Sequence, residues 1–462
     1  MLLGFADPTA PIPGLFWTWP FVAILLCVAL LPLIRATEHW WHSNGNKLLV
    51  SAVLGAIVLG YYYFRGYGVE GHGAPGMSTV AGVLKHAIVD EYIPFIVLLF
   101  SLYVISGGIV IRGDIRATPL NNTAILGLGT VLASIIGTTG ASMVLIRLLL
   151  RTNSERKRVA HTVVFFIFLV SNVGGALLPT GDPPLFLGFL RGVPFFWTLT
   201  LWWEWLLLSA ALLIVYYFWD TWAYRHESKA DVAYDTVHLE RVHAAGVLNF
   251  LWLILVVAAV ASIDPSKPLF GTQWQPPQFF REGVMLALTG LSLLTTKQAL
   301  RQENQFSYFA IIEVAVLFIG IFITMQVPLE ILHARGSQLG VTEPWQFYWA
   351  TGILSSFLDN APTYVVFFEL ANTMTPAAGP GIIDLIGGGH IREDLLAAVS
   401  LGAVFMGANT YIGNGPNFMV KSIAEHSGVK MPSFFGYMAY SCGVLVPLLI
   451  LMTFAAFARP HL

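Results

Sequence analysis

Long apolar blocks alternate with short polar breaks along this chain. Ten blocks are long enough to draw as membrane spans M1 to M10: residues 14–34, 47–64, 91–111, 159–189, 195–219, 246–263, 282–297, 307–333, 393–422 and 433–457. Two further apolar stretches, 118–150 and 344–372, fit no full span. The second carries Asp359, Asn360, Ala361 and Pro362 at its centre, between apolar arms running from Trp345 to Leu358 and from Thr363 to Ala371. Neither arm is long enough to cross ~30 Å of hydrocarbon. Pro362 removes a backbone donor and Asn360 tolerates turn geometry. The pattern predicts a re-entrant hairpin, which bilayers tolerate only where it is packed in protein or lines a cavity.

The stretch 118–150 has a small, polar centre, Gly137-Thr138-Thr139-Gly140-Ala141-Ser142, which favours a turn between two half-helices. A continuous kinked span is the competing reading. M4 is too long for one span and is interrupted: three prolines and three glycines lie between Gly174 and Pro184, enough to unwind a helix. Asn172, Thr180 and Asp182 sit in that interruption. M9 has a matching break from Gly407 to Phe418, with Asn409, Thr410, Asn414 and Asn417.

Composition agrees with a polytopic membrane protein: of 462 residues, 56% are hydrophobic and only 11% charged. The 14 Trp and 16 Tyr suit interfacial belts, and the 43 Gly suit close helix packing. A net charge of -2 gives no sign of nucleic acid. No Lys or Arg precedes the first apolar block, which argues against a cleaved signal peptide. Cys27 and Cys442 read as inert core residues.

If both hairpins re-enter, the loops around 112–118 and 151–160 share one face, with Arg112, Arg116, Arg151, Arg156, Lys157 and Arg158. Excess Lys and Arg mark the cytoplasmic side. Carrying that orientation along the chain puts 16 of the 24 basic residues inside and both termini outside. The expected fold class is an all-α polytopic membrane protein with two inverted repeats, about ten transmembrane helices, two re-entrant hairpins and two broken helices. The first repeat is 1–219 with hairpin 118–150, the linker is 220–245, and the second repeat is 246–462 with hairpin 344–372. The Gly-rich outer loop from Gly66 to Asp90 is expected to hold a short surface helix, Ser78 to Val89. Broken segments at matching places in inverted halves point to a transporter's midplane site.

Freed carbonyls together with Asn172, Thr180, Asp182, Asn409, Thr410, Asn414 and Asn417 supply hard oxygen ligands, which suit a small cation such as Na⁺. Asp182 and Asp359 can each hold a proton or an ion, the minimum for antiport. Neither hairpin tip nor either interruption contains Lys or Arg, which weighs against a large anion. Plainer readings stand beside these. Asp359 can cap the second hairpin arm. Asp182 can be a loop carboxylate near the outer surface, and the M9 asparagines can satisfy unwound backbone. Thr138, Thr139 and Ser142 can bond neighbouring carbonyls. Glu204, among Trp202, Trp203 and Trp205, reads as interfacial, whereas Glu313 stays an intramembrane candidate. His39 and His42, beside Trp40 and Trp41, read as interface packing over metal binding. A Gly-Asp turn at Gly181–Asp182 is also seen in intramembrane aspartyl proteases, but the Gly-x-Gly-Asp run and a helical partner Asp are missing.

The hairpin core Phe357-Leu358-Asp359-Asn360-Ala361-Pro362-Thr363, the run from Pro179 to Pro184, and Ser106-Gly107-Gly108 resemble the NhaD-type Na⁺/H⁺ antiporters. These belong to the ion transporter superfamily, with citrate-transporter-like proteins and arsenite permeases. The likeness runs from about residue 90 onward. It implies a multi-pass secondary transporter of the bacterial-type inner membrane, not an enzyme, often a homodimer, that works by elevator-like movement. It implies no cofactor, with Na⁺ and H⁺ as cargo. Family ion sites carry over to Gly137, Thr138, Thr139, Asn172, Asp182, Asp359, Asn360, Asn409 and Asn414. Thr363, Thr180, Thr410 and Asn417 join them as candidates by position, and Asp359 and Asp182 are the carboxylates expected to meet Na⁺. The tips of dicarboxylate relatives resemble Ser-Asn-Thr, whereas here they read Gly-Thr-Thr and Asp-Asn-Ala-Pro. Na⁺/H⁺ antiport is the first expectation; an organic-anion (citrate-like) or arsenite transporter is the alternative.

Overall fold

Where the apolar blocks are interrupted, the helices end, and side-chain caps mark some of the restarts, at Thr118, Glu343, Asp359 and Ser433. The computed structural model describes residues 11–69, 74–228, 240–265, 268–269, 272–376, 379–386 and 388–457. In chain order the helices are α1 (Trp19–Leu30), α2 (Arg35–Trp41), α3 (Asn44–Phe64), α4 (Met77–Ser106), α5 (Pro119–Ile136), α6 (Thr138–Thr152), α7 (Ala160–Leu169), α8 (Pro183–Leu190) and α9 (Trp202–Arg225). They continue as α10 (Leu248–Ser262), α11 (Phe280–Thr295), α12 (Gln298–Glu303), α13 (Phe309–Arg335), α14 (Pro344–Phe357), α15 (Asn360–Thr373), α16 (Glu393–Met406), α17 (Gly415–His426) and α18 (Phe434–Phe457). Two small antiparallel pairs join them: β1 (Val110–Asp114) with β2 (Glu240–Ala245), and β3 (Ile382–Asp384) with β4 (His390–Arg392). The protein is an all-α polytopic membrane protein apart from these ribbons.

The ten-block pattern needs revision in several places. Among the described residues six helices are long and apolar enough to span: α3, α4, α5, α13, α18, and α9 extended back to Phe195. M1 is a bent pair, with α1 and α2 turning by 102°. M6 and M7 become helices of 15 and 16 residues, which rise about 22–24 Å and fall short of ~30 Å. M4 and M9 are broken, as expected. The expected surface helix from Ser78 to Val89 is instead the start of α4, which passes through a π-helical segment, Lys85–Tyr92, and continues to Ser106. The charges Lys85, Asp90 and Glu91 disguise that continuity in sequence. The linker expected from Asp220 begins later, because α9 runs to Arg225 and buries Asp220. Residues 229–239 of that linker lie outside the described residues. Cys442 is exposed rather than a core residue, and Cys27 is half-buried.

By internal contacts the chain forms two units, each taking segments from both sequence halves. The first is 1–99, 186–194 and 307–403. In it α3 packs along α13, and Phe95 stacks on Phe318 with ring centroids 4.9 Å apart. Val58, Tyr62, Val80, Val83, Val327 and Ile331 form one buried cluster. Two ion pairs tie α3 to α13: Lys47 to Glu313 at 2.6 Å, and Arg65 to Glu330 at 2.8 Å. Glu313, a sequence candidate for chemistry, is thus engaged by a buried lysine. Hairpin arms α14 and α15 pack against each other. Pro344 occupies the first turn of α14, and a Glu343–Gln346 capping box closes its start.

The second unit is 100–185, 195–306 and 404–462. Here α5 and α6 pack against each other, so 118–150 turns back at Gly137 and is not a continuous kinked span. The Thr118 hydroxyl accepts from the Asn121 N–H at the start of α5. At the same end of the helix a buried network joins Asn122, Asn153, Arg156, His161 and Asp220. Arg156 Nη2 donates to Asp220 Oδ1 at 2.6 Å, and His161 Nε2 lies 2.9 Å from that oxygen. Asn122 Nδ2 reaches both Asn153 Oδ1 (2.9 Å) and Asp220 Oδ2 (3.2 Å).

Candidate ion-binding site

The chain crosses from α5 to α6 through one residue. Gly137 has φ +83° and ψ 151°, a conformation essentially reserved for glycine. A side chain there would also meet the Thr180 carbonyl at 3.2 Å. This turn brings the first residue of α6 against the M4 interruption. The Thr138 N–H donates to the Gly181 carbonyl at 2.8 Å, and its hydroxyl donates to Asp182 Oδ1 at 2.9 Å. Asp182 is 2% exposed, so it is not a surface loop carboxylate.

The other broken span reaches the same oxygen. Asn414, extended at the residue before α17, donates through Nδ2 to Asp182 Oδ1 (3.1 Å), to the Ser171 carbonyl (3.1 Å) and to Asn172 Oδ1 (3.3 Å). Asn172 Nδ2 donates to Asn417 Oδ1 at 2.7 Å and to the Ile167 carbonyl at 2.8 Å, the latter at the unwound end of α7. Asn417 Nδ2 closes the ring by donating to the Gly407 and Thr410 carbonyls, both at 2.9 Å. Helix α17 packs on both α6 and α7, which holds these groups in place. All of these side chains are buried within the second unit.

Three segments far apart in sequence therefore converge on one carboxylate. Asn417 does what the plainer reading asked, satisfying unwound backbone. Asn414 does that and binds the carboxylate too. Thr180 is buried with its hydroxyl 3.5 Å from the Ile135 carbonyl. Thr410 accepts from the Ile412 N–H through its hydroxyl, and the Asn409 carbonyl accepts from Ser441. Thr139 is half-buried on the first turn of α6, one residue past the group that reaches Asp182. Sequence reading left out Ser171, whose hydroxyl lies 2.9 Å from that of Ser142. Its place directly before Asn172 was the available signal.

Asp359, Asn360 and Thr363 belong to the first unit. Asp359 is the N-cap of α15: its Oδ1 accepts from the Ala361 N–H at 3.0 Å, and its carbonyl accepts from the Thr363 hydroxyl at 2.9 Å. Asn360 is fully buried. The capping role weighed from sequence is present. Arg147 reaches Asn304 and Gln305 at 3.3 and 3.4 Å, near its helix end. Glu204 is half-buried in the first turn of α9. His42 stacks on Phe309, and among the described residues no cluster of His, Cys, Asp and Glu could hold a metal ion.

Residues 11–457 match the model of the family CitMHS_2, described as "Putative citrate transport". The chain belongs to this family. Membership makes it a transporter of the citrate-transporter-like superfamily, in agreement with its helices, hairpins and broken spans. No curated protein matches the chain. Within a transporter fold a buried carboxylate ringed by amide and hydroxyl groups is a candidate site for small cargo, because charge inside such folds is costly to bury. The segments around it, 137–142, 171–184 and 407–418, contain no Lys or Arg.

Proposed function

We propose that the protein is a secondary active transporter that binds a small hard cation, Na⁺ first, at Asp182 and exchanges it for protons. The observation that carries this reading is the convergence of Thr138, Asn172 and Asn414 around Asp182 from one hairpin tip and two broken spans. Carboxylate, hydroxyl, amide and carbonyl oxygens suit Na⁺, and the same carboxylate can take a proton when the ion leaves. Asp359 is a second proton or ion candidate. Each sequence half holds a hairpin followed by a broken span: α5 to α8 in 1–219, and α14 to α17 in 246–462. That supports inverted repeats and alternating access by elevator-like movement of these elements. The reading includes an NhaD-like antiporter of a bacterial-type inner membrane, acting as a homodimer.

The second reading is a citrate-like organic anion as cargo, with Na⁺ coupled, and the family description favours it. Currents from the purified protein in proteoliposomes on a solid-supported membrane decide between the two. Jumps in Na⁺ and Li⁺ that drive currents dependent on the pH gradient, with none from citrate or arsenite, are expected. Citrate currents without cation–proton exchange would move the assignment to the second reading.

A further inference from the structure

Inside the first unit, away from the hairpin tip, lies a second buried group of titratable side chains. Arg191, just past α8, donates through Nε to Glu369 Oε1 at 3.1 Å and through Nη2 to Glu91 Oε1. Glu91 sits in the π-helical segment of α4, and Glu369 on α15. Each carboxylate has its own histidine. His86 Nε2 lies 3.5 Å from Glu91 Oε1, and His333 Nε2 lies 3.4 Å from Glu369 Oε2. Glu91, Arg191 and Glu369 are 5%, 5% and 2% exposed. Glu91 Oε2 and Arg191 Nη1 have no hydrogen-bond partner among the described residues.

Two carboxylates and one guanidinium leave this buried core one positive charge short of neutral when both histidines are neutral. Uncompensated charge in a buried, dehydrated core is costly, and a single proton removes it. The other groups nearby do not supply that charge. Asp90 is acidic and 4.0 Å from His86, and the Tyr364 hydroxyl is neutral. Lys85 and Arg335 are exposed, and Arg392 of β4, which packs on α15, is taken by Asp394. His86 and His333 are the more accessible members, with side chains 12% and 17% exposed, so they can pass a proton to the buried carboxylates. Local π-helical geometry is itself frequent at functional sites.

We propose that Glu91, Arg191 and Glu369, with His86 and His333, form a binding site for one exchangeable proton, separate from Asp182 and Asp359. The proton adds to a carboxylate oxygen through the adjacent imidazole; no other bond is made or broken. Because Glu369 and the capping Asp359 ride on the same helix ten residues apart, about 15 Å at 1.5 Å per residue, the proton sets how firmly α15 is tied to Arg191.

Infrared difference spectroscopy of the full-length protein in lipid, titrated from about pH 5 to about pH 9, tests this without reference to Na⁺ or transport. The expected result is a protonated-carboxyl band that is lost in Glu91→Gln or Glu369→Gln and kept in Asp182→Asn and Asp359→Asn. His333→Gln leaves the three core residues in place, so it serves should the Glu variants fail to fold; it shifts the midpoint of the band. A band kept in both Glu variants, a midpoint unmoved in His333→Gln, or no band in the wild type overturns the proposal. A cation–proton exchange assay can fail while this band persists, so the two claims are separable.

Discussion

Asp182 is fixed by groups that the chain brings from either side of it, and single substitutions should resolve their parts. Asn414 donates to three acceptors, all buried. Asn414→Ala leaves the Ser171 carbonyl, Asn172 Oδ1 and Asp182 Oδ1 short of a donor. A loss of about 1–3 kcal/mol is expected, read as earlier thermal unfolding in detergent. Gly137→Ala forces a side chain into a conformation reserved for glycine, at about 1–3 kcal/mol, and presses it toward the Thr180 carbonyl. Its Na⁺ response should fall further than its stability, because the turn aims Thr138 at Asp182. An unchanged Na⁺ response in a folded Gly137→Ala protein would contradict that account of the turn. Residue types in the interruptions made Asp182, Asn172 and Asn414 legible as candidates. That Thr138 and Asn414 share one carboxylate oxygen was not legible, because contacts across 44 and 232 residues leave no local pattern.

At the scale of elements, Asp359 caps α15 and is also the second proposed proton or ion carrier; substitution separates the two roles. Asn caps helices about as well as Asp, whereas Ala costs about 0.5–2 kcal/mol. Asp359→Asn should keep the melting temperature, and Asp359→Ala should lower it. If transport falls equally in both, the charge matters beyond the cap; if Asp359→Asn transports normally, the residue is only a cap. The network at the start of α5 is a firmer structural element. Asp220→Ala leaves Arg156 buried without its carboxylate and should cost about 3–5 kcal/mol, against little for a surface acid. The hairpins were readable almost to the residue, because Gly137 and the Asp359–Pro362 turn interrupt otherwise regular apolar runs. The start of α4 was not: the Gly-rich entry, with Asp90 and Glu91 inside the helix, mimics a loop. The ion pair that would have explained Glu91 requires Arg191, a hundred residues on.

For the whole molecule, each compact unit draws on both sequence halves, so sequence order alone did not reveal which hairpin accompanies which broken span. The first hairpin tip and both interruptions share the second unit, and the Asp359 tip belongs to the first. The positive-inside count predicts both termini on the outer face. Yet several counted residues, Lys47, Arg156 and Arg301 among them, are buried and bonded inside the protein and contribute less to orientation than loop charges. Impermeant thiol labelling of a single cysteine placed near residue 12 should occur from outside intact cells, and labelling only after permeabilisation would reverse the topology. In the proposed function, cation binding at Asp182 is coupled to protons. Its most direct test is the collapse of a preset pH gradient by Na⁺ in proteoliposomes, comparing wild type with Asp182→Asn at equal reconstituted amounts. Na⁺ is expected to collapse the gradient in wild type and to leave it standing in Asp182→Asn; a gradient that Na⁺ leaves intact in wild type, or collapses equally in both, would overturn cation–proton coupling at Asp182.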